Sequence, residues 1–98
     1  MTAMDGNPAT LPTFAEAARL WAKIGLLDTI GVTIAGSRDN STRIVSNVVT
    51  GSSGASLLFG QDKRAAALDA AQINGTAAHA LDFDDCNNTL GGHPSAQI

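Results

Sequence analysis

The pattern that most restricts the possible fold is a helical repeat of apolar and small residues in the first half of the chain. These residues recur at alternating steps of three and four positions: Ala17, Leu20, Ile24, Leu27, Gly31 and Ile34. Such spacing places them on one face of an α-helix. Thr13 and Glu16 have the spacing of a capping box, so we predict a helix over residues 14–35. Gly25 and Gly31 each cost about 1 kcal/mol relative to alanine inside a helix, which predicts a second helix packed closely against them.

A second long helix is predicted over residues 62–83, with Asp62 as its N-cap. Its small residues form a face suited to lie against the first helix: Ala66, Ala70, Ile73, Ala77 and Ala80. A polar stripe runs along another face towards an acidic cluster: Gln72, Gly75, Thr76, His79 and Asp82. Between the long helices we predict a short helix from Ser41 to about Thr50. Residues 55–59 are either a strand-like pairing or an apolar plug, and the predicted fold class is all-α.

Composition restricts the classes of partner. The chain has 98 residues, 44% of them hydrophobic but only 4% aromatic, which predicts one domain at most with a thin core. A net charge of −3 without a Lys/Arg cluster argues against nucleic acid. There is no run of about 18 apolar residues, so no membrane partner is expected. Residues 1–12 do not resemble a signal peptide and are predicted to be flexible. The single cysteine fits a reducing compartment, so we expect a soluble, cytoplasmic protein.

Residues 74–95 contain both histidines, the single cysteine and an acidic cluster formed by Asp82, Asp84 and Asp85. Carboxylates are unfavourable at the C-terminal end of a helix, by roughly 0.3–1 kcal/mol each, because the helix dipole is negative there. Residues that oppose the stability of their own helix without an evident structural benefit indicate a functional site. Phe83 lies between the acids, so we expect the segment to be partly buried. Because Asp82 lies on the same helical stripe as His79, we expect it to be a catalytic or substrate-binding carboxylate.

His93, in the sequence Gly-Gly-His-Pro-Ser, is the candidate general acid/base, because imidazole titrates near neutral pH and glycines let a substrate approach. His79 lies one helical turn before Asp82. Cys86 is disfavoured as a nucleophile, because three nearby carboxylates disfavour a thiolate. Plainer alternatives stay open: a solvated acidic helix end, a surface histidine at position 93, a His79–Asp82 pair, or a magnesium site built from the carboxylates.

A family resemblance rests on two motifs. Residues 74–85, NGTAAHALDFDD, followed by His-Pro-Ser at 93–95, resemble the N-terminal signature of the MmgE/PrpD family. That family includes 2-methylcitrate dehydratase, cis-aconitate decarboxylase and iminodisuccinate epimerase. Residues 26–36, LLDTIGVTIAG, resemble its first long helix. The likeness covers roughly residues 14–98.

The resemblance implies an all-α N-terminal domain whose site needs no cofactor and lies in a cleft against a second, α+β domain. We expect that no metal is required either, because the motif has no twelve-residue calcium loop and no Cys/His ligand set. The implied activity is that of a lyase (hydro-lyase or decarboxylase) or an isomerase, which moves a proton next to a carboxylate of a small di- or tricarboxylate. Asp82 and His93 stand at catalytic positions, and His79, Asp85 and Cys86 at substrate-binding ones. Family members often have threonine where this chain has Cys86, so no hydroxyl role is expected there.

From the same resemblance we expect residues 13–98 to be a partial N-terminal helical domain without the second domain, and inactive alone. Exposed small-residue faces favour self-association, so we expect a homo-oligomer, in the simplest case a homodimer. Two other function classes stay open. One is a non-catalytic helical interaction or remnant module, and the other is an acidic cation-binding module built on Asp82, Asp84 and Asp85.

Overall fold

The computed structural model describes residues 11–49 and 53–98. Its elements follow in this order: α1 (Phe14–Gly36), α2 (Asn40–Val48), β1 (Ser56–Leu57), β2 (Arg64–Ala65), α3 (Ala67–His79) and a 3-10 turn (Pro94–Gln97). The mainly helical architecture is confirmed, but the all-α prediction is wrong in one respect, because β1 and β2 pair. The flexible segment predicted for residues 1–12 falls almost wholly outside the described residues, as does the predicted helix end at Thr50. No helix in the described ranges combines the length and apolar character needed to cross a lipid bilayer.

Side-chain caps fix where the first two helices begin. Thr13 Oγ1 accepts a hydrogen bond from the Glu16 amide at 3.2 Å, and the Glu16 carboxylate accepts one from the Thr13 amide at 2.9 Å. This is the predicted capping box, and α1 begins where predicted and ends one residue later. α2 is capped by Asp39 and not by Ser41, because the Ser41 amide and hydroxyl both donate to the Asp39 carboxylate, at 2.9 and 2.6 Å.

A short antiparallel pair of strands lies where the sequence predicted the first residues of α3. β1 and β2 pair with Ser56 opposite Ala65. Because β2 is extended backbone, the helix begins only at Ala67. The prediction of a helix from residue 62 with Asp62 as its N-cap is therefore wrong.

Asn74 ties this hairpin to α3. Its Nδ2 donates to the Leu57 carbonyl at 2.9 Å, and its Oδ1 accepts from the Phe59 amide at 3.0 Å. Between these two bonds the Leu58 side chain enters the small core. The core cluster consists of Leu58, Ala65, Ala70 and Ile73, with Val45 and Val49 packed against it. Residues 55–59 are thus both a strand and an apolar plug, the two alternatives that the sequence left open.

α1 crosses α3 at Gly36. A Cβ atom on Gly36 would lie 2.0 Å from the carbonyl oxygen of Ala77, so only glycine permits this approach. The prediction that Gly25 and Gly31 mark the helix contact is wrong, because a Cβ atom at either position would meet nothing within 4 Å among the described residues. Much of α1 is solvent-exposed instead, including the Trp21 side chain.

Replacing Gly36 with alanine should destabilise the fold by about 1–3 kcal/mol, because the new methyl group must push α1 and α3 apart. The matched control, Gly31→Ala, adds the same group to the same helix in open space and should stabilise it by up to about 1 kcal/mol through helix propensity. Urea unfolding followed by far-UV circular dichroism measures both free energies of unfolding. Equal effects of the two substitutions would contradict a close crossing at Gly36.

Candidate functional site

The C-terminal end of α3 turns the acidic segment back towards the helix. α3 ends at His79 and not at residue 83, because Asp82 adopts a left-handed backbone conformation with φ 55°. The Asp82 amide donates to the His79 carbonyl at 2.9 Å and closes this turn. Aspartate visits the left-handed region more readily than most residues, but at a cost in energy. Backbone strain of this kind is concentrated at functional sites.

Asp84, and not Phe83, is the buried residue of this segment. The segment is partly buried, as the sequence predicted, but Phe83 is not the buried residue, because it is 71% exposed. The Asp84 side chain is fully buried, with Oδ1 2.9 Å from Nδ1 of His79 and Oδ2 3.4 Å from Nδ1 of His93. An ionised carboxylate only accepts hydrogen bonds, so we assign Nδ1 of His79 as the donor. From the sequence, Asp84 belonged to the acidic cluster but had a role of its own only in the cation-binding alternatives.

Contacts in the following loop bring His93 to the end of α3. Asp85 accepts two hydrogen bonds from Ser95, one from its amide at 3.1 Å and one from its hydroxyl at 2.6 Å. The Asn87 amide donates to the Gly92 carbonyl at 2.8 Å and closes the loop before His93. Asp85 was predicted to bind substrate. In the structure its carboxylate holds the backbone beside His93, and its role towards a substrate stays a prediction.

The two imidazoles and Asp82 meet at one end of α3. The ring centroids of His79 and His93 lie 4.3 Å apart. Asp82 Oδ1 lies 3.9 Å from Nδ1 of His79 and 3.8 Å from Nε2 of His93. The structure thus brings His79, Asp82 and His93 together, as the sequence analysis expected. It does not bring Cys86 to them, since this residue is exposed and lies outside the pocket lining.

An open pocket of about 850 Å³ lies beside this cluster. The pocket is lined by Ser41, Gly75, Thr76, His79, Ala80, Asp82 and His93. Four of these residues belong to the polar stripe that helical periodicity predicted from the sequence: Gly75, Thr76, His79 and Asp82. Ser41 comes from α2, and no signal in the sequence links it to this site. None of the described lining residues is lysine or arginine, so positive charge among them can come only from the imidazoles.

The electrostatics of the cluster act most clearly on His79. Its pKa is raised above the ordinary value of 6.5. The hydrogen bond to Asp84 is the largest cause, the negative charge of Asp84 comes next, and Asp82 adds a smaller contribution, while burial opposes the rise. His79 therefore carries a positive charge over a wider pH range than a free histidine. This makes it the candidate group for an anionic ligand.

The cluster must also be considered as a metal site. His79, Asp82, Asp84 and His93 offer ligand atoms that all lie within 4.8 Å of one another. A metal needs a lone pair on each imidazole nitrogen that it binds. Nδ1 of His79 is committed to Asp84 by a hydrogen bond, and Nδ1 of His93 faces the other oxygen of the same carboxylate. A cation would have to break these contacts, so the cluster fits proton transfer better than metal binding.

Comparison with known proteins adds one positive finding. A family model described as the MmgE/PrpD N-terminal domain matches residues 9–98. No curated protein matches the chain, and neither does any solved structure. The matched range contains every helix and strand described above and all four residues of the cluster.

The raised pKa of His79 predicts a pH-dependent stability. Because the folded-state pKa lies above 6.5, the folded chain binds more protons than the unfolded chain between 6.5 and the raised value. The contribution to stability is complete below 6.5 and is lost as the pH rises through the folded-state pKa. Asp84→Asn removes the main cause and should flatten this dependence, whereas the exposed Asp62→Asn should not. Urea unfolding at a series of pH values measures it, and a free energy of unfolding that rises through this window would contradict the assignment.

The hydrogen bonds of the cluster predict weak metal binding. Isothermal calorimetry with Mg²⁺, Ca²⁺ and Zn²⁺ should show at most weak, nonspecific heats, because each cation must displace an imidazole from Asp84. A stoichiometric site of micromolar affinity that disappears in Asp84→Asn would instead favour the cation-binding module.

Proposed function

The chain belongs to the MmgE/PrpD family, and we propose that its residues supply the proton-transfer part of a lyase or isomerase site for small di- or tricarboxylates. The observation that carries this proposal is the position of His93. Its Nε2 lies 3.8 Å from the Asp82 carboxylate, and both side chains line the same open pocket. An imidazole beside a carboxylate can take a proton from one atom of a substrate and return it to another.

The proposed chemistry begins at a carbon next to a substrate carboxylate. His93 removes a proton from this carbon, and the electron pair left behind spreads onto the carboxylate. In a dehydration, these electrons form a double bond to the neighbouring carbon, and the hydroxyl group on that carbon leaves. His93 and Asp82 return a proton to the departing hydroxyl, which leaves as water. In an epimerisation, a proton returns to the opposite face of the same carbon. General acid–base catalysis of this kind contributes about 10²–10⁴-fold.

Substrate binding needs positive charge, because both the substrate and the developing transition state are anionic. Within the described pocket this charge comes from His79, whose pKa is raised. The exposed carboxylate of Asp82 acts against it by repelling an anionic substrate. We therefore propose that further cationic groups belong to the second, α+β domain that the family resemblance implies, and that the residues of this chain do not catalyse without it.

Two features of the surroundings complete the proposal. The single cysteine, Cys86, is exposed and free, which suits a reducing compartment such as the cytoplasm.

Large apolar side chains of α1 are exposed, among them Trp21 and Leu27. Burial of such a surface is a driving force for association, so we propose a homodimer. Light scattering should give twice the mass of one chain, and a monomer at all concentrations would contradict this.

The activity test compares two forms of the protein with 2-methylcitrate and cis-aconitate. The 98-residue chain alone should show no turnover. The chain joined to the second domain of an MmgE/PrpD enzyme should convert a di- or tricarboxylate. In that joined form, His93→Ala should lower kcat by about 10²–10⁴-fold, because the general acid/base is removed.

The matched control is Asn88→Ala, which changes an exposed residue of the same loop and should leave kcat unchanged. Turnover of the joined protein that survives His93→Ala would contradict the role of this histidine. Turnover by the chain alone would show that the second domain is not required. No turnover of any di- or tricarboxylate by the joined protein would contradict the proposed function.

A further inference from the structure

Asp84 holds two imidazoles with two unequal contacts. Its Oδ1 accepts a hydrogen bond from His79 at 2.9 Å, while its Oδ2 lies 3.4 Å from Nδ1 of His93. Both Asp84 Oδ2 and His93 Nδ1 are buried, and neither has a hydrogen-bond partner among the described residues. A buried polar atom without a partner is costly, so these two atoms are natural partners of each other.

We propose that Asp84 is a positioning residue that accepts the Nδ1 proton of His93 and thereby leaves Nε2 as the nitrogen that exchanges protons with the substrate. This inference rests on the proposed function, because it concerns how His93 is prepared for proton transfer. Asp84 is fully buried, whereas Asp82 is 77% exposed by side chain. Of Asp82 and Asp84, only Asp84 is therefore shielded from solvent. It can hold the His93 imidazole at Nδ1, the nitrogen opposite the one that lies near Asp82.

The tautomer of His93 decides whether it can act as a base. A neutral imidazole carries its proton on one nitrogen, and only the other nitrogen has a lone pair. An ionised carboxylate only accepts, so a lone pair on Nδ1 would face the lone pairs of Asp84 Oδ2 and be repelled. A proton on Nδ1 removes this repulsion and satisfies both buried atoms. The free lone pair then lies on Nε2, 3.8 Å from Asp82 Oδ1 in the pocket lining.

The same carboxylate gives His79 a different task. Its hydrogen bond to Asp84 is shorter, and its side chain is more exposed than that of His93, 52% against 34%. The raised pKa of His79 follows mainly from this hydrogen bond and keeps the imidazole positively charged over a wider pH range. One buried aspartate thus separates the tasks of two neighbouring histidines: His79 attracts a substrate carboxylate, and His93 moves the proton.

The substitution Asp84→Asn should invert the tautomer of His93. It replaces one carboxylate oxygen by an amide NH₂ group of nearly the same shape. The remaining oxygen serves the shorter bond to His79, so the NH₂ group faces His93 Nδ1 and donates to it. The proton of His93 must then move to Nε2. In serine hydrolase triads the equivalent substitution keeps the geometry and lowers kcat about 10⁴-fold through the wrong imidazole tautomer.

Nitrogen-15 NMR of the histidine side chains in the full chain tests the proposal without any substrate. The spectra are recorded above the pH at which the imidazoles protonate, and His79→Gln assigns the two sets of signals. In the native chain, His93 should give an N–H signal for Nδ1 and a lone-pair signal for Nε2. An Nε2–H tautomer, or an even mixture of the two tautomers, would overturn the proposal, and this measurement needs no variant of Asp84.

The same NMR measurement on variants shows whether Asp84 sets the tautomer of His93 or has a merely structural role. In Asp84→Asn the N–H signal of His93 should move to Nε2. The control Asp62→Asn removes one negative charge from an exposed residue and should leave the tautomer unchanged. A folded Asp84→Asn chain that keeps the native tautomer would overturn the proposal. If this variant does not fold, the tautomer of the native chain still decides the question.

An activity readout follows in the chain joined to the second domain. Asp84→Asn should lower kcat by about 10²–10⁴-fold while KM changes little, because substrate still binds but the base has lost its lone pair. A higher KM with unchanged kcat would overturn the positioning role. If the joined protein has no activity but His93 shows the Nδ1–H tautomer, the proposed function fails and the role of Asp84 in setting the tautomer stands.

Discussion

A carboxylate removed from water must find hydrogen-bond partners inside the protein, and this requirement governs the arrangement around Asp84. Its buried side chain faces the Nδ1 atoms of His79 and His93. To allow this, α3 ends at His79, the chain reverses through the left-handed residue Asp82, and the loop returns to the same place. Three carboxylates at a helix end, unfavourable by the helix dipole alone, are thereby explained. One anchors two imidazoles, one lines the pocket, and Asp85 holds the loop.

The cluster lies at the end of α3, so its geometry depends on where other segments contact this helix. The sequence predicted that the two long helices pack together, but not the position of their closest contact. Gly36 lets α1 approach the backbone of Ala77, two residues before His79. Gly31, and not Gly36, was predicted to mark this contact, and only the position of α3 shows which glycine lies at the crossing. The pairing of β1 with β2 likewise places the start of α3 at Ala67 and not after Asp62, the predicted N-cap. Local sequence could not show this, because strand pairing depends on a partner elsewhere in the chain.

Local signals, in contrast, predicted much of the fold and of the site. The capping box and the three-and-four periodicity were sufficient for α1, because both act within a few residues. The polar stripe along α3 and the family signature placed His79, Asp82 and His93 in one site, and the structure brings them together. The burial of Asp84 was not predicted, because the expectation of a partly buried segment rested on its apolar neighbour Phe83. The left-handed turn exposes Phe83 and buries Asp84.

In the proposed reaction, His93 moves a proton at a carbon next to a substrate carboxylate. Hydrogen exchange between solvent and substrate tests it most directly. The chain joined to the second domain is incubated with 2-methylcitrate in D₂O, and the recovered substrate is analysed by mass spectrometry and NMR. We expect deuterium at the carbon next to a carboxylate, incorporated about 10²–10⁴-fold more slowly by His93→Gln. Incorporation at an unchanged rate in His93→Gln, or none with the native chain, would contradict it.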